Sequence, residues 1–187
     1  MEQICVFCGS SNGNEAGYAE AARQLGSALA RRNTRLVFGG GKVGMMGILA
    51  GEVLAGGGQV TGVITQSLFD WDTGMNDLED LRIVPGMHER KALMASLAEG
   101  FIALPGGFGT LEELFEAVTW LQLGIHSRPV GLLNVDGYFD HLLAFLEHAS
   151  RQGFIKEQHL RMLLVDESPE GLLVKMENFV YQEVRKV

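Results

Sequence analysis

Short apolar runs alternate along this chain with longer segments in which apolar residues recur at helical spacing. Tyr18, Ala22, Leu25 and Leu29, for example, form one apolar stripe along a predicted helix. The runs indicate strands that are buried on both faces of a sheet, and they lie at residues 4–7, 36–38, 59–64, 81–84, 101–103, 128–134 and 162–165. This alternation predicts an α/β fold with a doubly wound, Rossmann-like parallel sheet and helices on both faces.

The alternation stops between residues 66 and 80. Asp70, Trp71, Asp72 and Asn76 stand there without a helical or a strand period. We interpret the stretch either as a loop over the ligand-binding end of the sheet or as a mobile surface connection, and the sequence leaves both interpretations open.

Length and composition favour a single domain that covers residues 1–187, since 47% of the residues are hydrophobic and can form a full core. A net charge of −8 and a pI near 5.1 leave no basic stripe for a nucleic-acid polymer, so we expect no such partner. The run at residues 4–7 is too short for a signal peptide, and no run reaches the roughly 20 residues of a membrane span. We therefore predict a cytoplasmic protein without membrane contact.

The most informative stretch is the turn that follows the run at residues 101–103 and opens a helical segment. It reads Leu104-Pro105-Gly106-Gly107-Phe108-Gly109-Thr110. Glycines let the backbone approach a ligand closely, and the first N–H groups of a helix have no partner within the helix. Because these groups and the positive end of the helix dipole attract anions, the turn predicts a phosphate-binding site.

Helix capping is the alternative explanation for part of this turn. Thr110, followed three residues later by Glu113, matches the capping box T-x-x-E. Thr110 can serve both purposes, whereas the Glu113 carboxylate cannot fully serve its own backbone and a ligand. We favour the phosphate site because a capping box requires neither Pro105 nor the glycines.

The helix after the turn has an apolar stripe that faces the sheet, formed by Leu111, Leu114, Phe115, Val118 and Leu121. Glu113, Ala117 and Trp120 fall on the opposite side of the helical wheel. A tryptophan on the outer face indicates a second buried surface, so we predict a homodimer joined partly through this face. A single exposed tryptophan without a partner is the alternative.

Two more loops follow apolar runs and therefore lie at the same end of the predicted sheet. The stretch at residues 39–44 has the G-x-G-x-x-G pattern of dinucleotide-binding folds, but the next run ends in Thr65-Gln66, without an acid to hold a ribose. An NAD site is therefore disfavoured. Residues 9–13 match the G-x-S-x-G nucleophile elbow of serine hydrolases. In that fold several strands precede the elbow, whereas here the motif follows the first predicted strand, so a serine hydrolase is disfavoured. We interpret the hydroxyl groups of this loop as hydrogen-bond donors to a ligand.

Arg90 falls within the apolar stripe of its helix, which consists of Met87, Leu93, Met94 and Leu97. An inward guanidinium is costly unless an anion meets it. The anion is either an internal Asp or Glu, or it belongs to a site in which Arg90, Lys91 and a carboxylate lie near the phosphate turn. We favour the second interpretation.

Neither the cysteines nor the histidines indicate a cofactor. Cys5 and Cys8 are three residues apart on a strand, so their side chains point to opposite faces, and we interpret them as buried thiols rather than a redox pair. His141 and His148 share a helix face, but no carboxylate or cysteine completes a metal site. We predict neither a metal nor an organic cofactor.

Four motifs occur in a fixed order: Cys8-Gly9-Ser10-Ser11, Gly39-Gly40-Gly41-x-x-Gly44-x-Met46-Gly47, Met87-His88-x-Arg90-Lys91 and Pro105-Gly106-Gly107-x-Gly109-Thr110-x-x-Glu113. With them the chain resembles the LOG family, the cytokinin riboside 5′-monophosphate phosphoribohydrolases, over residues 4–153. The resemblance implies a Rossmann-like homodimer that hydrolyses the N-glycosidic bond of a nucleoside 5′-monophosphate, such as AMP, and releases the free base and ribose 5-phosphate.

The resemblance also implies roles for individual residues. Arg90 and Glu113 correspond to the catalytic pair. Substrate binding falls to Gly9, Ser10, Gly40, Gly41, Met46, Lys91, Gly106, Gly107, Gly109 and Thr110. The segment at residues 70–77 does not align clearly with the family, so the acid on the base side of the substrate and the identity of the base stay unassigned.

Other functions fit parts of the pattern. A nucleotide or molybdenum-cofactor carrier of the same fold would bind without hydrolysis, and the Arg90 and Glu113 pair argues against it. An NAD-dependent oxidoreductase would need the missing ribose acid. Lysine decarboxylase is a label sometimes attached to the family, but the sequence offers no site for pyridoxal phosphate.

Overall fold

A computed structural model describes residues 1–71 and 73–183 of the chain. Its centre is a seven-stranded parallel sheet with the strand order β4-β3-β2-β1-β5-β6-β7. The strands are β1 (Gln3–Phe7), β2 (Arg35–Phe38), β3 (Val60–Thr65), β4 (Asp80–Val84), β5 (Gly100–Ala103), β6 (Val130–Leu133) and β7 (Leu163–Asp166). The predicted doubly wound parallel sheet is confirmed.

Helices connect the strands and cover both faces of the sheet. They are α1 (Ala16–Arg31), α2 (Gly44–Ala55), α3 (Gln66–Asp70), α4 (Met87–Leu97), α5 (Phe108–Gln122), α6 (Asp140–Arg151), α7 (Glu157–Leu160) and α8 (Pro169–Glu177). Leu25 of α1 and Leu172 of α8 belong to one core cluster, and Met94 of α4 and Leu114 of α5 belong to the other. Within the described ranges, no helix is both long and apolar enough to cross a membrane.

Strand β1 shows why the apolar runs are continuous. Ile4 and Val6 pack into the first core cluster, while Cys5 and Phe7 pack into the second, because successive side chains of a strand point to opposite faces. Both faces are covered, so each position must be apolar. Cys5 and Cys8 are free, buried thiols in opposite clusters, which confirms their interpretation.

The order of the strands in the sheet reverses between β1 and β5: β2, β3 and β4 follow on one side of β1, and β5, β6 and β7 follow on the other. Strand β2 lies on one side of β1 and β5 lies on the other, with Cys5 in register with both Val37 and Phe101. The helices that follow β1 and β5, α1 and α5, therefore pack on opposite faces of the sheet, and a crevice opens at this edge. Ligands of open α/β sheets bind at such a point.

The stretch at residues 66–80 is not the continuous loop of the prediction. It begins with the short helix α3, whose first turn is capped by the hydroxyl of Thr65 accepting a hydrogen bond from the N–H of Leu68 at 3.3 Å. The backbone then returns to the glycine loop after β2, where Gly74 forms an antiparallel bridge with Gly41. Asp72 lies outside the described residues.

The outer face of α5 also differs from the prediction. Ala117 is buried in the same cluster as Leu114 and Leu121, because residues 114, 117 and 121 follow the helical repeat and the small Ala117 side chain lets α5 approach the sheet closely. Trp120 is partly buried in a groove that it lines together with Met94 of α4. The placement of Ala117 on the outer face was therefore wrong.

Candidate active site

The loops after β1 and β5 meet at the carboxyl edge of the sheet. The N–H of Gly9 donates a hydrogen bond to the carbonyl oxygen of Pro105 at 3.1 Å. Gly106 lies against both loops, since a Cβ atom on it would lie 2.1 Å from the Thr110 hydroxyl oxygen and 2.9 Å from the Gly9 nitrogen. No residue other than glycine fits at this position without moving the backbone.

Helix α5 begins at Phe108 and has Gly107 as its N-cap, with no side chain capping it. The alternative prediction of a capping box that begins at Thr110 is therefore wrong. The helix starts three residues earlier because Gly107 already has the extended backbone of an N-cap, and Glu113 makes a different contact.

The N-terminus of α5 is open to the crevice. Gly107 and Gly109 are exposed, and a Cβ atom on either would meet no atom within 4 Å. Among the described residues, none accepts a hydrogen bond from the N–H groups of residues 106–110, whereas Leu111 already donates to the Gly107 carbonyl oxygen. Such a row of unpaired donors at the positive end of a helix dipole suits a phosphate group.

Arg90 and Glu113 meet beside this helix end. The Nη1 group of Arg90 donates to the Glu113 Oε1 atom at 3.0 Å, and the two side chains are only 10% and 13% exposed. Arg90 also donates from Nε to the Val63 carbonyl oxygen at 2.9 Å and from Nη2 to the Gly39 carbonyl oxygen at 3.3 Å. The inward Arg90 of the sequence prediction thus meets an internal glutamate, and that glutamate lies beside the phosphate turn, so the two interpretations coincide.

Burial dominates the electrostatics of Glu113. Desolvation raises the pKa of the Glu113 carboxyl above its ordinary value of 4.5, although the charge of Arg90 and its hydrogen bond act in the opposite direction. A carboxyl group whose proton affinity is tuned by two opposing effects is typical of sites that handle charge or protons.

Lys91 is paired with two other glutamates. Its ammonium group contacts Glu112 and also Glu116, the latter at 3.0 Å, and both glutamates belong to α5. The hydrogen bond to Glu112 is the largest of the effects that raise the Lys91 pKa. Within this chain, the ammonium group ties α4 to α5.

The glycine loop after β2 lies across the crevice from α5. Gly40 and Gly44 have positive φ angles of 73° and 65°, and a Cβ atom on Gly44 would lie 2.3 Å from the Ser10 carbonyl carbon. Ser10 is exposed at the mouth, whereas Gly40 is buried and its carbonyl oxygen accepts a hydrogen bond from the Met75 N–H at 2.8 Å. The Gly41 backbone is likewise paired with Gly74, and a Cβ atom on Gly41 would lie 2.9 Å from the Met46 Cε atom.

The described residues form neither a metal site nor a reactive thiol site. Within residues 1–71 and 73–183, no three histidine, cysteine, aspartate or glutamate side chains are grouped as a metal site. His141 and His148 are exposed on α6. Burial, reinforced by the nearby Glu113, raises the pKa of both Cys5 and Cys8, which keeps these thiols protonated.

One contact of the glycine turn at residues 104–110 was not predicted. The hydroxyl group of Tyr138, in the loop after β6, donates to the Gly106 carbonyl oxygen at 2.7 Å. A signal was present, because Tyr138 follows a buried strand and therefore lies at the ligand-binding edge of the sheet.

Comparisons with known proteins identify relatives of this chain. The family model described as possible lysine decarboxylase matches residues 46–176. The cytokinin riboside 5′-monophosphate phosphoribohydrolase LOG of Oryza sativa subsp. japonica is 49% identical over 180 residues, which cover 96% of this chain and 74% of that protein. The cytokinin riboside 5′-monophosphate phosphoribohydrolase LOG1 of Arabidopsis thaliana is 47% identical, over 96% of this chain and 84% of its own length.

Solved structures share the fold at lower identity. The molybdenum cofactor binding protein of Rippkaea orientalis matches with a TM-score of 0.70 and 20% identity, over 95% of this chain and 96% of the other. The molybdenum cofactor carrier protein of Chlamydomonas reinhardtii matches with a TM-score of 0.69 and 19% identity, over 94% and 95%. At this identity the likeness concerns the fold alone.

Proposed function

The chain belongs to the LOG family, and from this membership and the geometry of the crevice we propose that it is a phosphoribohydrolase. It hydrolyses the N-glycosidic bond of a nucleoside 5′-monophosphate, either a cytokinin riboside 5′-monophosphate or AMP. Water adds to C1′ of the ribose, the bond from C1′ to the base nitrogen breaks, and a proton passes to the base. The products are the free base and ribose 5-phosphate.

One observation carries the proposal: the buried pair of Arg90 and Glu113 lies directly beside the open N-terminus of α5. The helix end offers N–H donors to the 5′-phosphate, which is remote from the bond that breaks. Phosphate binding there supplies energy for positioning C1′ near the Glu113 carboxylate.

Glu113 suits the charge that develops during the reaction. Cleavage of a glycosidic bond builds positive charge on the ribose and negative charge on the base. A carboxylate with little access to water stabilises the ribose cation more strongly than one in bulk solvent, or orients the attacking water. Arg90 holds the Glu113 carboxylate in place through one oxygen atom, Oε1. No metal or organic cofactor takes part in this mechanism.

Incubation of the protein with AMP, followed by chromatography, tests the proposal. We expect free adenine and ribose 5-phosphate from AMP, and no cleavage of adenosine, because adenosine lacks the group that binds to residues 106–110. AMP that binds but stays intact would instead indicate a carrier. Equal rates on AMP and adenosine would mean that the turn does not hold the phosphate.

The same proposal includes the assembly and location of the protein. We propose a homodimer in which the outer face of α5 around Trp120 contacts a second copy, because Trp120 keeps exposed surface beside the groove between α4 and α5. Light scattering of the wild type at micromolar concentration tests it, and a monomer would contradict it. A single domain over residues 1–187 and a cytoplasmic location, where nucleoside 5′-monophosphates occur, complete the proposal; cell fractionation tests the location.

A further inference from the structure

We propose that Tyr138 is a positioning residue of the phosphate-binding turn, which it holds through the Gly106 carbonyl group. The inference rests on the proposed function, since it concerns how the 5′-phosphate is bound. It begins from the 2.7 Å hydrogen bond between the Tyr138 hydroxyl group and the Gly106 carbonyl oxygen. This contact joins the loop after β6 to the turn after β5.

Two consecutive carbonyl groups of the turn are held from outside it. The Pro105 carbonyl oxygen accepts the hydrogen bond from the Gly9 N–H, and the Gly106 carbonyl oxygen accepts the one from Tyr138. In a trans peptide plane the N–H group points opposite to the C=O group. Fixing the two carbonyl groups therefore fixes the directions of the N–H groups of Gly106 and Gly107.

The turn needs this external support because it is rich in glycine. A Cβ atom on Gly107 or Gly109 would meet no atom within 4 Å, and glycine restricts the backbone little by itself. Without the hydrogen bond from Tyr138, the peptide between Gly106 and Gly107 is free to rotate, and the phosphate would have to order it on binding. Pre-ordering of donors is a direct source of affinity.

The loop that carries Tyr138 has an unusual backbone. Asp136 and Gly137 both have left-handed φ angles, of 49° and 70°, although Asp136 is not a glycine. The Asp136 carboxylate lies directly over Gly17 of α1, where a Cβ atom would be only 2.0 Å from Oδ2. Strained positions of this kind persist where the surrounding structure requires them, and here the turn directs Tyr138 toward the crevice.

The Tyr138 ring is held separately from its hydroxyl group. It makes edge contacts with the rings of Tyr18 and Phe139, whose centroids lie 5.5 and 4.8 Å away. The substitution Tyr138→Phe therefore removes the hydrogen bond and keeps the ring packing. Tyr18→Phe is the matched control, because Tyr18 touches the same ring and its hydroxyl group does not contact the turn.

The experiment compares wild type, Tyr138→Phe and Tyr18→Phe by calorimetric titration with ribose 5-phosphate and with adenine, and by AMP kinetics. For Tyr138→Phe we expect about five- to tenfold weaker binding of ribose 5-phosphate, the loss typical of one hydrogen bond. The KM for AMP should rise by a similar factor, kcat should stay within about twofold, and adenine binding and the thermal midpoint should not change. Tyr18→Phe should match the wild type throughout.

Unchanged ribose 5-phosphate binding in Tyr138→Phe would overturn the inference while leaving AMP hydrolysis intact. Equal weakening of ribose 5-phosphate and adenine binding, or the same loss in Tyr18→Phe, would show a general structural role and would also overturn it. A wild type that binds ribose 5-phosphate without cleaving AMP, together with weaker binding in Tyr138→Phe, would refute the proposed function alone. A wild type that does not bind ribose 5-phosphate would refute the positioning role.

Discussion

Two arginine–glutamate contacts of similar length accompany opposite net pKa shifts of their carboxyl groups. In the crevice, Arg90 contacts Glu113 at 3.0 Å between side chains that are 10% and 13% exposed. On the surface, Arg32 at the end of α1 contacts Glu170 of α8 at 2.8 Å, and there the exposures are 27% and 52%. The Glu113 pKa is raised, mainly by burial, whereas the Glu170 pKa is lowered, mainly by its hydrogen bond with Arg32.

The difference shows that solvent access, rather than the presence of an arginine, decides the proton affinity of the carboxyl group. At the surface water continues to solvate most of the charge of Glu170, so the hydrogen bonds and charge of its arginine partners outweigh the small desolvation. In the crevice, desolvation raises the Glu113 pKa by more than Arg90 lowers it. Buried ion pairs are weak evidence for stability, and the Arg90–Glu113 pair is better explained by its place beside the phosphate turn.

Removal of Arg90 should have the largest effect. In Arg90→Ala the Glu113 carboxylate stays buried without its cation, and the carbonyl oxygens of Val63 and Gly39 each lose a donor. We expect the free energy of unfolding to fall by about 3–5 kcal/mol and kcat on AMP to fall by roughly a hundredfold or more. Urea denaturation and an adenine-release assay measure the two effects. A stability loss no larger than that of Arg32→Ala would mean that burial does not distinguish the two contacts.

Glu113→Gln should separate activity from stability. Since burial already favours the uncharged carboxyl group, an uncharged glutamine of the same shape should be tolerated by the fold, with a thermal midpoint close to that of the wild type. We expect kcat on AMP to fall by roughly a hundredfold or more, because the charge that acts on the ribose cation is gone. The double variant with Arg90→Ala should be no less active than the poorer single variant if the residues act as a unit. Full activity of Glu113→Gln would leave Arg90 without a catalytic partner.

The pH profile of kcat/KM should carry the signature of the buried carboxyl group. Glu113 must be ionised to act on a cation, and its raised pKa means that it becomes protonated at a higher pH than an ordinary glutamate. Activity should therefore fall as the pH decreases through an apparent pKa above 4.5. A profile that stays flat down to pH values where ordinary glutamates are protonated would contradict the role of Glu113.

Arg32→Ala, which removes the surface contact, should have the smallest effect on stability and on activity. It removes surface contacts with Glu170 and with Glu177, so we expect a loss of at most about 1 kcal/mol and unchanged AMP hydrolysis. The Glu170 pKa is lowered in the folded state, so its contribution is present above the unfolded pKa and is lost as the pH falls through the folded value. The difference from the wild type should therefore shrink at acid pH and in high salt. Urea denaturation across pH checks this.

Much of the fold could be predicted because its main signal is local. The run at residues 101–103 corresponds to β5 at Gly100–Ala103, since a strand buried on both faces must be apolar at nearly every position. Helix α3, with only five residues, is too short for a helical period to be visible, and its cap on Thr65 depends on a single hydroxyl group. The T-x-x-E pattern at Thr110 was a local match only, because the helix begins at Phe108 with Gly107 as its N-cap.

The inward orientation of Arg90 and the helix that follows the glycine turn could be read from the amino-acid sequence alone, because both follow from spacing within one element. The resemblance to the LOG family supplied Glu113 as a partner. The contacts of Arg90 depend on the folded chain, since Glu113, Val63 and Gly39 lie 23, 27 and 51 residues away from it in the sequence. The fold likewise brings Tyr138 to Gly106, 32 residues away. Such contacts arise because the parallel sheet gathers the ends of β1, β2, β3, β5 and β6 at one edge, a proximity that no local pattern encodes.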